Sequence, residues 1–473
     1  MLPQLRELEQ RWPDTIAVVG VHSGKFIAER VTTRIRDACA RLGVTHPVVN
    51  DRQFRIWREF AVKAWPTLVA IDPEGYVVGM HPGEFVADAL ASFVERTITD
   101  ARRRGTLVPR PAHESGEPPE GATSPLRYPG KVAVHGDRIA IADTGHDRVL
   151  VATLDAARRR ARIELIVGGG GRGFVDGTRE EARFDHPQGV AFGTDPSGGD
   201  LLWVADAGNH ALRAIRLADG RVRTVAGTGR RVRTRAELAA GALASPWDVV
   251  AVGDTVHVAM AGTHQLWTVA PAPSGDRRMG AARDWWGSEP DAAPSSLSGG
   301  APRTHPDVRV APRTGSGAEE LHDAPHDSAA LAQPMGIALD TRRGVLWFAD
   351  AEASAVRAAD LADDGGVRTV VGTGLFDFGD WDGVGDDVRL QHPQGVALLD
   401  DGRLLVADSY NDALKLVEPE RRSATTWRRG FAEPAGIACD REHVYVADTN
   451  AHRVLVLPIA GTREDDRWEL ALD

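Results

Sequence analysis

The chain has 473 residues, a formal net charge of −11 and an isoelectric point near 5.8. This acidic balance argues against a nucleic-acid-binding or anionic-membrane surface. The two cysteines, Cys39 and Cys439, form no motif, which argues against a disulfide framework, cysteine-bound zinc and an iron–sulfur cluster. No apolar run reaches membrane-spanning length and residues 1–12 do not resemble a signal peptide, so the sequence predicts a soluble, cytoplasmic protein.

Residues 1–104 alternate amphipathic helical stretches with short apolar strands. The predicted helices cover Leu2–Trp12, Phe26–Leu42, the residues around Ile56, and Glu84–Arg103. The predicted strands cover Thr15–Val21, His46–Val49, Thr67–Ile71 and Tyr76–Met80. Alternating helices and strands that end in a hairpin indicate a small α/β layer.

Three motifs of this unit are Val-Gly-Val-His-Ser at 19–23, His-Pro-Val-Val-Asn-Asp at 46–51 and Trp-Pro-Thr-Leu-Val at 65–69. In them the sequence resembles the thioredoxin-like domain of the NHL-repeat-containing protein 2 family. The resemblance implies a groove at Trp65, Pro66 and Thr67, with a cis Trp65–Pro66 peptide.

The same resemblance exposes a departure at the start of the sequence. Members of the family carry a cysteine pair just before the helix that begins here at Leu2, and that pair and the strand before it are absent. The domain is therefore expected to be redox-incomplete, or else the start codon was placed too late, because disulfide exchange needs a thiolate. Cys39 is expected to be a packing residue of its helix.

A proline-rich segment and then a repeat follow the first unit. Residues 105–125 cannot bury a core and predict an extended linker. From residue 126 to 473, six related units each contain a residue–proline turn, an apolar strand, a second strand and a third strand. A fourth strand precedes most later units, so the pattern predicts a six-bladed β-propeller. The units resemble NHL repeats, and the predicted fold is a truncated thioredoxin-like α/β domain followed by this all-β propeller.

Details of the repeat predict how the blades are built. An aspartate ends the second strand of five units and is expected to cap the following turn; these residues are Asp143, Asp206, Asp350, Asp408 and Asp448. The third unit has Met260 at this position. Residues 468–472 are the expected outer strand of the last blade, and residues 272–306 are expected to form a surface insertion.

Polar residues at the repeat turns are the candidates for a binding face. They are His186, Asn209, His210, His392, Tyr410, Asn411 and His452. His186 and His392 share a repeat position and are the best metal candidates, but a catalytic zinc needs three protein ligands, so no metal is predicted. The acidic residues Asp380, Asp382, Asp386 and Asp387 lack the calcium-loop spacing and are interpreted as a turn.

Other chemistry is weakly indicated. The glycines at 168–171 lack the Lys-Ser/Thr ending of a phosphate loop. No catalytic triad, paired acid and base or cofactor fingerprint is present, so no catalytic residue and no cofactor are predicted.

The favoured function is a scaffold whose propeller face binds a protein or a small ligand, without nucleic-acid or membrane partners. A thiol–disulfide oxidoreductase with an upstream cysteine pair and a metal-dependent propeller lyase or hydrolase are the alternatives. The sequence leaves the partner, the oligomeric state and the domain arrangement open.

Overall fold

The computed structural model describes residues 2–83, 87–107, 124–195, 198–232, 236–237, 242–253, 255–271, 308–460 and 466–473. The chain divides into two compact units, residues 1–121 and 122–473. Most of the predicted linker at 105–125 and all of the predicted insertion at 272–306 lie outside the described residues.

Over residues 2–83 and 87–107 the first unit contains four α-helices and two small sheets. The helices are α1 (Leu2–Arg11), α2 (Thr32–Leu42), α3 (Arg55–Glu59) and α4 (Ala87–Arg104). The strands are β1 (Gly20–His22), β2 (Val48–Asn50), β3 (Thr67–Ile71) and β4 (Val77–Pro82). Strand β1 pairs in parallel with β2, and β3 forms an antiparallel hairpin with β4.

The predicted helix from Phe26 to Leu42 is broken near its start. Residues Ala28–Arg30 form a separate 3-10 turn, and Val31 is extended with φ −87° and ψ 120°. The side-chain amide of Asn50 donates to the carbonyl of Arg30 at 3.1 Å, which satisfies a group that a continuous helix would use. The helix ends as predicted at Gly43, in the left-handed region at φ 62°.

The second unit is a six-bladed β-propeller, and each blade is one sheet with its strands in sequence order. Blade one contains β5 (Val132–His135), β6 (Arg138–Asp143), β7 (Arg148–Leu154) and β8 (Arg160–Gly168). Blade two contains β9 (Pro187–Thr194), β10 (Asp200–Asp206), β11 (Ala211–Arg216) and β12 (Val222–Gly227). Blade three contains β13 (Pro246–Val252), β14 (Thr255–Met260), β15 (Gln265–Pro271) and β16 (Val308–Thr314).

The remaining blades follow the same order with two additions. Blade four contains β17 (Pro334–Asp340), β18 (Val345–Asp350), β19 (Ala355–Asp360) and β20 (Val367–Val371). Blade five contains an outermost β21 (Gly383–Val384), then β22 (Gly395–Leu398), β23 (Leu404–Asp408), β24 (Ala413–Glu418) and β25 (Ser423–Arg429). Blade six contains β26 (Pro434–Cys439), β27 (His443–Asp448), β28 (Arg453–Pro458) and β29 (Trp468–Glu469), and β30 (Ala471–Leu472) ends the chain.

The six inner strands close into a ring. The ring runs in the order β5, β9, β13, β17, β22 and β26, and β26 contacts β5 again. Apolar cores fill the spaces between the facing sheets of neighbouring blades. Between blades two and three this core includes Trp203 and Val225, and between blades four and five it includes Trp347 and Val370. The propeller therefore depends on interlocking blades rather than on one central core.

The last residues of the chain join the last blade to the first. The predicted single strand at 468–472 is instead two short strands, because Leu470 turns its side chain into the core between blades six and one. Strand β29 pairs with β28 in blade six. Strand β30 pairs in parallel with β8 of blade one, with Ala471 beside Arg160.

Candidate binding channel of the propeller

The five strand-ending aspartates stabilise the turn that leads into their own blade. One carboxylate oxygen of each accepts a backbone N–H at 2.6–2.9 Å, from Arg127, Asp185, Ala332, Gln391 and Ala432 in chain order. For Asp143, Asp408 and Asp448 the prediction of a cap on the following turn is wrong, because none of these side chains caps that turn. The carboxylates reach the preceding turn instead because the second strand of a blade ends beside the start of its first strand, as where Asp206 pairs with Pro187. In blade three the Met260 sulfur accepts the N–H of Ala244 at 3.4 Å instead.

Most of these carboxylates also have a cation beside the second oxygen. Arg213 donates to Asp206 and Arg357 donates to Asp350, each at 2.8 Å, and all four side chains are fully buried. Burial raises the pKa of Asp206 to about 6, against the opposing attraction of Arg213. Burial raises the pKa of Asp408 to about 7. The carboxylates of Asp206 and Asp350 therefore have both a backbone N–H donor and an arginine within the propeller.

The acidic turn of blade five holds an ammonium group. Lys415 is 1% exposed, and its Nζ lies 2.6 Å from Asp380 and 2.8 Å from Asp382. Arg429 donates to the other oxygen of Asp380 at 2.6 Å. Side-chain cations therefore lie beside Asp380 and Asp382, where the sequence favoured a turn over a calcium ion.

Six further hydrogen bonds connect each blade to the next, and we call them the blade latches. The residue at the end of each turn after the second strand has φ between 49° and 57°. Its side chain accepts the backbone N–H of the residue before the leading proline of the next blade, at 2.8–3.3 Å. The acceptor–donor pairs are Asp147–His186, His210–Ser245, His264–Gln333, Ser354–His392, Asp412–Glu433 and His452–Tyr128.

The latches and aspartates engage four of the seven residues predicted to form a binding face. His210 and His452 use Nδ1 as a latch acceptor. Asn209 donates to Asp206 at 2.8 Å, and Asn411 donates to Asp408 at 2.7 Å. These four side chains stabilise the fold, and they recur in the repeat because the same hydrogen bonds recur from blade to blade.

The other three predicted face residues lie in local clusters. His392 stacks on Tyr410 with ring centroids 4.4 Å apart. His186 lies 2.6 Å from Asp185 and, with Asp147, forms a group of possible metal ligands within 4.8 Å of one another. The Nε of Arg172 lies 3.1 Å from Asp185 and 3.5 Å from Asp147. This guanidinium offsets the negative charge that would attract a metal ion.

The residues predicted as a groove in the first unit form part of an aromatic cluster. The Trp65–Pro66 peptide is cis, as predicted. The indole of Trp65 donates to the carbonyl of Ser23 at 2.7 Å and lies 4.5 Å from the ring of Trp57. The hydroxyl of Thr67 donates to the carbonyl of Ala64, which leaves Trp65, 47% exposed, as the accessible side chain.

The channel contains a pair of charged residues that the sequence reasoning missed. Four repeats carry a glycine two residues after the leading proline, at Gly189, Gly336, Gly395 and Gly436. The first and third repeats carry Lys131 and Asp248 there, and these oppositely charged groups lie 3.8 Å apart. Two opposite charges at one repeat position were the sequence signal that could have revealed the pair.

The pair connects the inner ends of most blades. Lys131 Nζ donates to the carbonyls of Gln394 and Ala435, the latter at 2.8 Å. Asp248 accepts the N–H of Ile337 at 3.2 Å. Burial lowers the pKa of Lys131 and raises the pKa of Asp248, while their mutual attraction opposes both shifts. A side chain at Gly436 would meet the Cα of Lys131 at 2.6 Å, so the backbones crowd here.

Beyond this pair the channel is open. A cavity of about 450 Å³ extends along all six inner strands, from Lys131 and Asp248 to His135, Val252 and Thr341. The last three residues mark what we call the channel mouth. The side chains that line the cavity are largely apolar, although polar atoms form slightly more than half of its exposed surface. Cys439 there donates to the carbonyl of Leu398 at 3.1 Å. The predicted binding face lies at the opposite ends of the inner strands.

Comparisons with known proteins agree with the repeat pattern. The family model "NHL repeat" matches residues 390–414 and 431–457. The chain is 35% identical over 505 residues to NHL repeat-containing protein 2 of Homo sapiens, which covers 97% of this chain and 64% of that protein. It is also 35% identical over 487 residues to Protein SUPPRESSOR OF QUENCHING 1, chloroplastic, of Arabidopsis thaliana, covering 95% of this chain and 42% of that protein. This chain therefore spans less than two thirds of both relatives.

The structural comparison is weaker. The chain aligns with a chain of a nidogen/laminin complex with a TM-score of 0.41 and 13% identity, over 68% of this chain and 90% of that chain. Within the described residues, no helix is long and apolar enough to cross a membrane. The cytoplasmic location stays a prediction. By its NHL repeats and its similarity over nearly its whole length, the chain is a homologue of the NHL repeat-containing protein 2 of vertebrates.

Proposed function

We propose that this chain is a non-catalytic binding protein whose propeller holds a protein partner at the channel mouth. The observation that carries the proposal is the channel itself, which is lined largely by apolar side chains, open at the mouth and closed by Lys131 and Asp248 at its floor. A closed-ended cavity of this volume suits an inserted side chain or short segment of a partner. Val252 is 42% exposed at the mouth and is available for contact.

The polar side chains at the opposite end of the propeller support the same proposal, because they form hydrogen bonds within the fold. Histidines, asparagines and aspartates that could serve catalysis accept or donate hydrogen bonds within and between blades. A catalytic group needs a free lone pair or proton at the reacting atom. A lyase or hydrolase built from these residues would have to break the bonds that hold the blades.

We further propose that residues 1–104 form a thioredoxin-like unit that does not perform thiol exchange with the cysteines of this chain. The order of helices and strands, the parallel β1–β2 pair and the β3–β4 hairpin support the assignment. Burial raises the pKa of Cys39, and burial with nearby acidic groups raises the pKa of Cys439 to about 12. Both thiols are therefore poor nucleophiles.

A matched pair of substitutions tests binding at the mouth. Val252→Glu places a charge at the mouth, whereas Ile166→Glu places the same charge on strand β8, where the side chain is 43% exposed. Partners are captured from an extract of the source organism with wild type and both variants, and quantified by mass spectrometry. A partner retained by wild type and Ile166→Glu, but reduced at least tenfold by Val252→Glu, is the expected result. Equal retention by both variants would refute binding at the mouth.

A further inference from the structure

The interface between blades three and four contains a polar cavity beside its apolar core. The cavity measures about 380 Å³ and is lined by Thr268, Ala270, Arg309, Ala311, Pro312, Arg313, His326 and Asp363. It is separate from the central channel and lies between the outer strands of blade three and the following blade. Its volume falls within the range of small-molecule sites.

Blades two and four show which residue can fill the equivalent space. In blade two Trp203 pairs across the strands with Ala214, and in blade four Trp347 pairs with Ala358. In blade three the same cross-strand position pairs His257 with Thr268. A buried tryptophan has thus been replaced by a smaller histidine, which leaves space between the blades.

The bulged residue of the fourth strand has changed in the same direction. The register shift in this strand leaves Val225 unpaired in blade two, Val370 in blade four and Arg313 in blade three. The two valines are 1% and 4% exposed and pack in the apolar cores. Arg313 therefore brings a guanidinium into a position that blades two and four fill with a buried valine.

The charge of Arg313 is only partly balanced within the described residues. Its nearest carboxylate is Asp363 at 3.3 Å, whose side chain is 99% exposed and therefore well solvated. Its Nη2 donates to the carbonyl of Leu361, and its Nε is buried without a hydrogen-bond partner. Arg309 adds a second guanidinium to the same cavity. In a protein of net charge −11, this is a local concentration of positive charge.

The other polar side chains at the cavity add no negative charge: Thr268 carries a hydroxyl, and His257 and His326 carry imidazoles. The hydroxyl of Thr268 lines the cavity and lies 3.3 Å from Nδ1 of His257. Burial, assisted by the charge of Arg313, lowers the pKa of His257 to about 4, so this histidine is neutral at physiological pH. His326 uses both ring nitrogens, with Thr314 at 2.8 Å and the carbonyl of Ala362 at 2.9 Å, which fixes its ring in the wall.

We propose that this cavity binds a small organic anion whose carboxylate or phosphate group pairs with Arg313 and Arg309. Guanidinium groups bind both oxyanions through paired N–H donors, and a buried donor without a partner is costly unless a ligand satisfies it. The site is independent of the channel mouth. Binding here would connect blades three and four where His257 and Arg313 replace the tryptophan and valine of blades two and four.

The test uses two substitutions in the cavity. Arg313→Val introduces the residue that blades two and four carry at the bulge, and Arg309→Gln removes the second charge without altering the bulge. Arg368→Val on strand β20 is the control, since Arg368 forms an ion pair with Asp360 outside the cavity. Inorganic phosphate and citrate are titrated into the full chain at low ionic strength by calorimetry, and thermal unfolding is followed with and without each anion.

The expected result is saturable binding of one or both anions to wild type and to Arg368→Val. Binding should weaken at least tenfold in Arg313→Val and in Arg309→Gln, with loss of the anion-dependent rise in melting temperature. Tighter binding of phosphate than citrate assigns the site to phosphate esters, and the reverse order assigns it to carboxylates. The proposal is overturned if neither anion binds wild type saturably, or if both cavity variants bind as wild type does.

Discussion

Acidification should weaken the latch between blades two and three. In this latch the N–H of Ser245 donates to Nδ1 of His210 at 2.9 Å, so the imidazole must be unprotonated at that nitrogen. Burial, together with the positive charge of Arg231, lowers the pKa of His210 to about 4, while Asp185 opposes the shift. The unfolded chain binds a proton more readily, so stability is lost as the pH falls from about 6.5 towards 4.

The magnitude follows from the difference between the two pKa values. With about 6.5 for the unfolded chain and about 4 for the folded one, His210 costs about 2 kcal/mol of unfolding free energy between pH 7.5 and pH 5. His210→Asn keeps a side-chain oxygen as the acceptor, tolerates a positive φ and does not titrate. The variant should therefore lose about 2 kcal/mol less than wild type over this range.

Urea unfolding at pH 7.5 and pH 5.0 measures this difference, and hydrogen exchange of the Ser245 amide reports the latch itself. His135→Asn at the channel mouth is the control, because His135 is exposed and takes no part in a latch. It should show the same pH dependence as wild type. If His210→Asn loses as much stability as wild type at pH 5, the latch is not the acid-sensitive element and the reasoning is refuted.

Three further predictions concern the buried charges and the thiols. Lys131→Gly should lower the unfolding free energy by about 3–5 kcal/mol in denaturant titration, because Asp248 is left without its cation, and adding Asp248→Gly should recover most of the loss. A double variant no more stable than the single one would contradict the pairing. Met260→Asp restores the repeat residue but should destabilise the fold by about 2–4 kcal/mol, because Trp267 stands where sister blades supply arginine; a stabilised variant would contradict this account. A disulfide-reductase assay of this chain should show no turnover above that of Cys39→Ser, and a clear excess in wild type would contradict the redox-incomplete assignment.

The repeat made the propeller predictable because its leading prolines and strand-ending aspartates recur with short-range spacing. The same recurrence misled the search for a site, since His210 and Asn411 recur as structural acceptors and donors rather than as ligand contacts. Each latch joins residues of different blades, and such a pair is fixed only once the ring has closed. The final strand depends even more on closure, because Ala471 pairs with Arg160 of the first blade.

Positions at which one blade differs from the others indicate the candidate sites better than positions that all blades share. Lys131 and Asp248 each replace a glycine, but their opposite signs acquire meaning only when blades one and three face each other across the channel. Arg313 likewise has no distinctive sequence signal. Its equivalence to Val225 and Val370 follows from a β-bulge rather than from simple strand alternation. Register shifts of this kind are not encoded in hydrophobic periodicity.

The central claim is that the protein binds its partner at the channel mouth and not on the opposite face. Site-specific photo-crosslinking tests it most directly, with a photoreactive residue introduced at Val252 in one variant and at Phe376 in another. Phe376 is 72% exposed in the loop that follows strand β20, at the opposite end of the propeller. The account predicts a discrete crosslinked partner from Val252 and none from Phe376. A partner crosslinked from Phe376 but not from Val252 would contradict it.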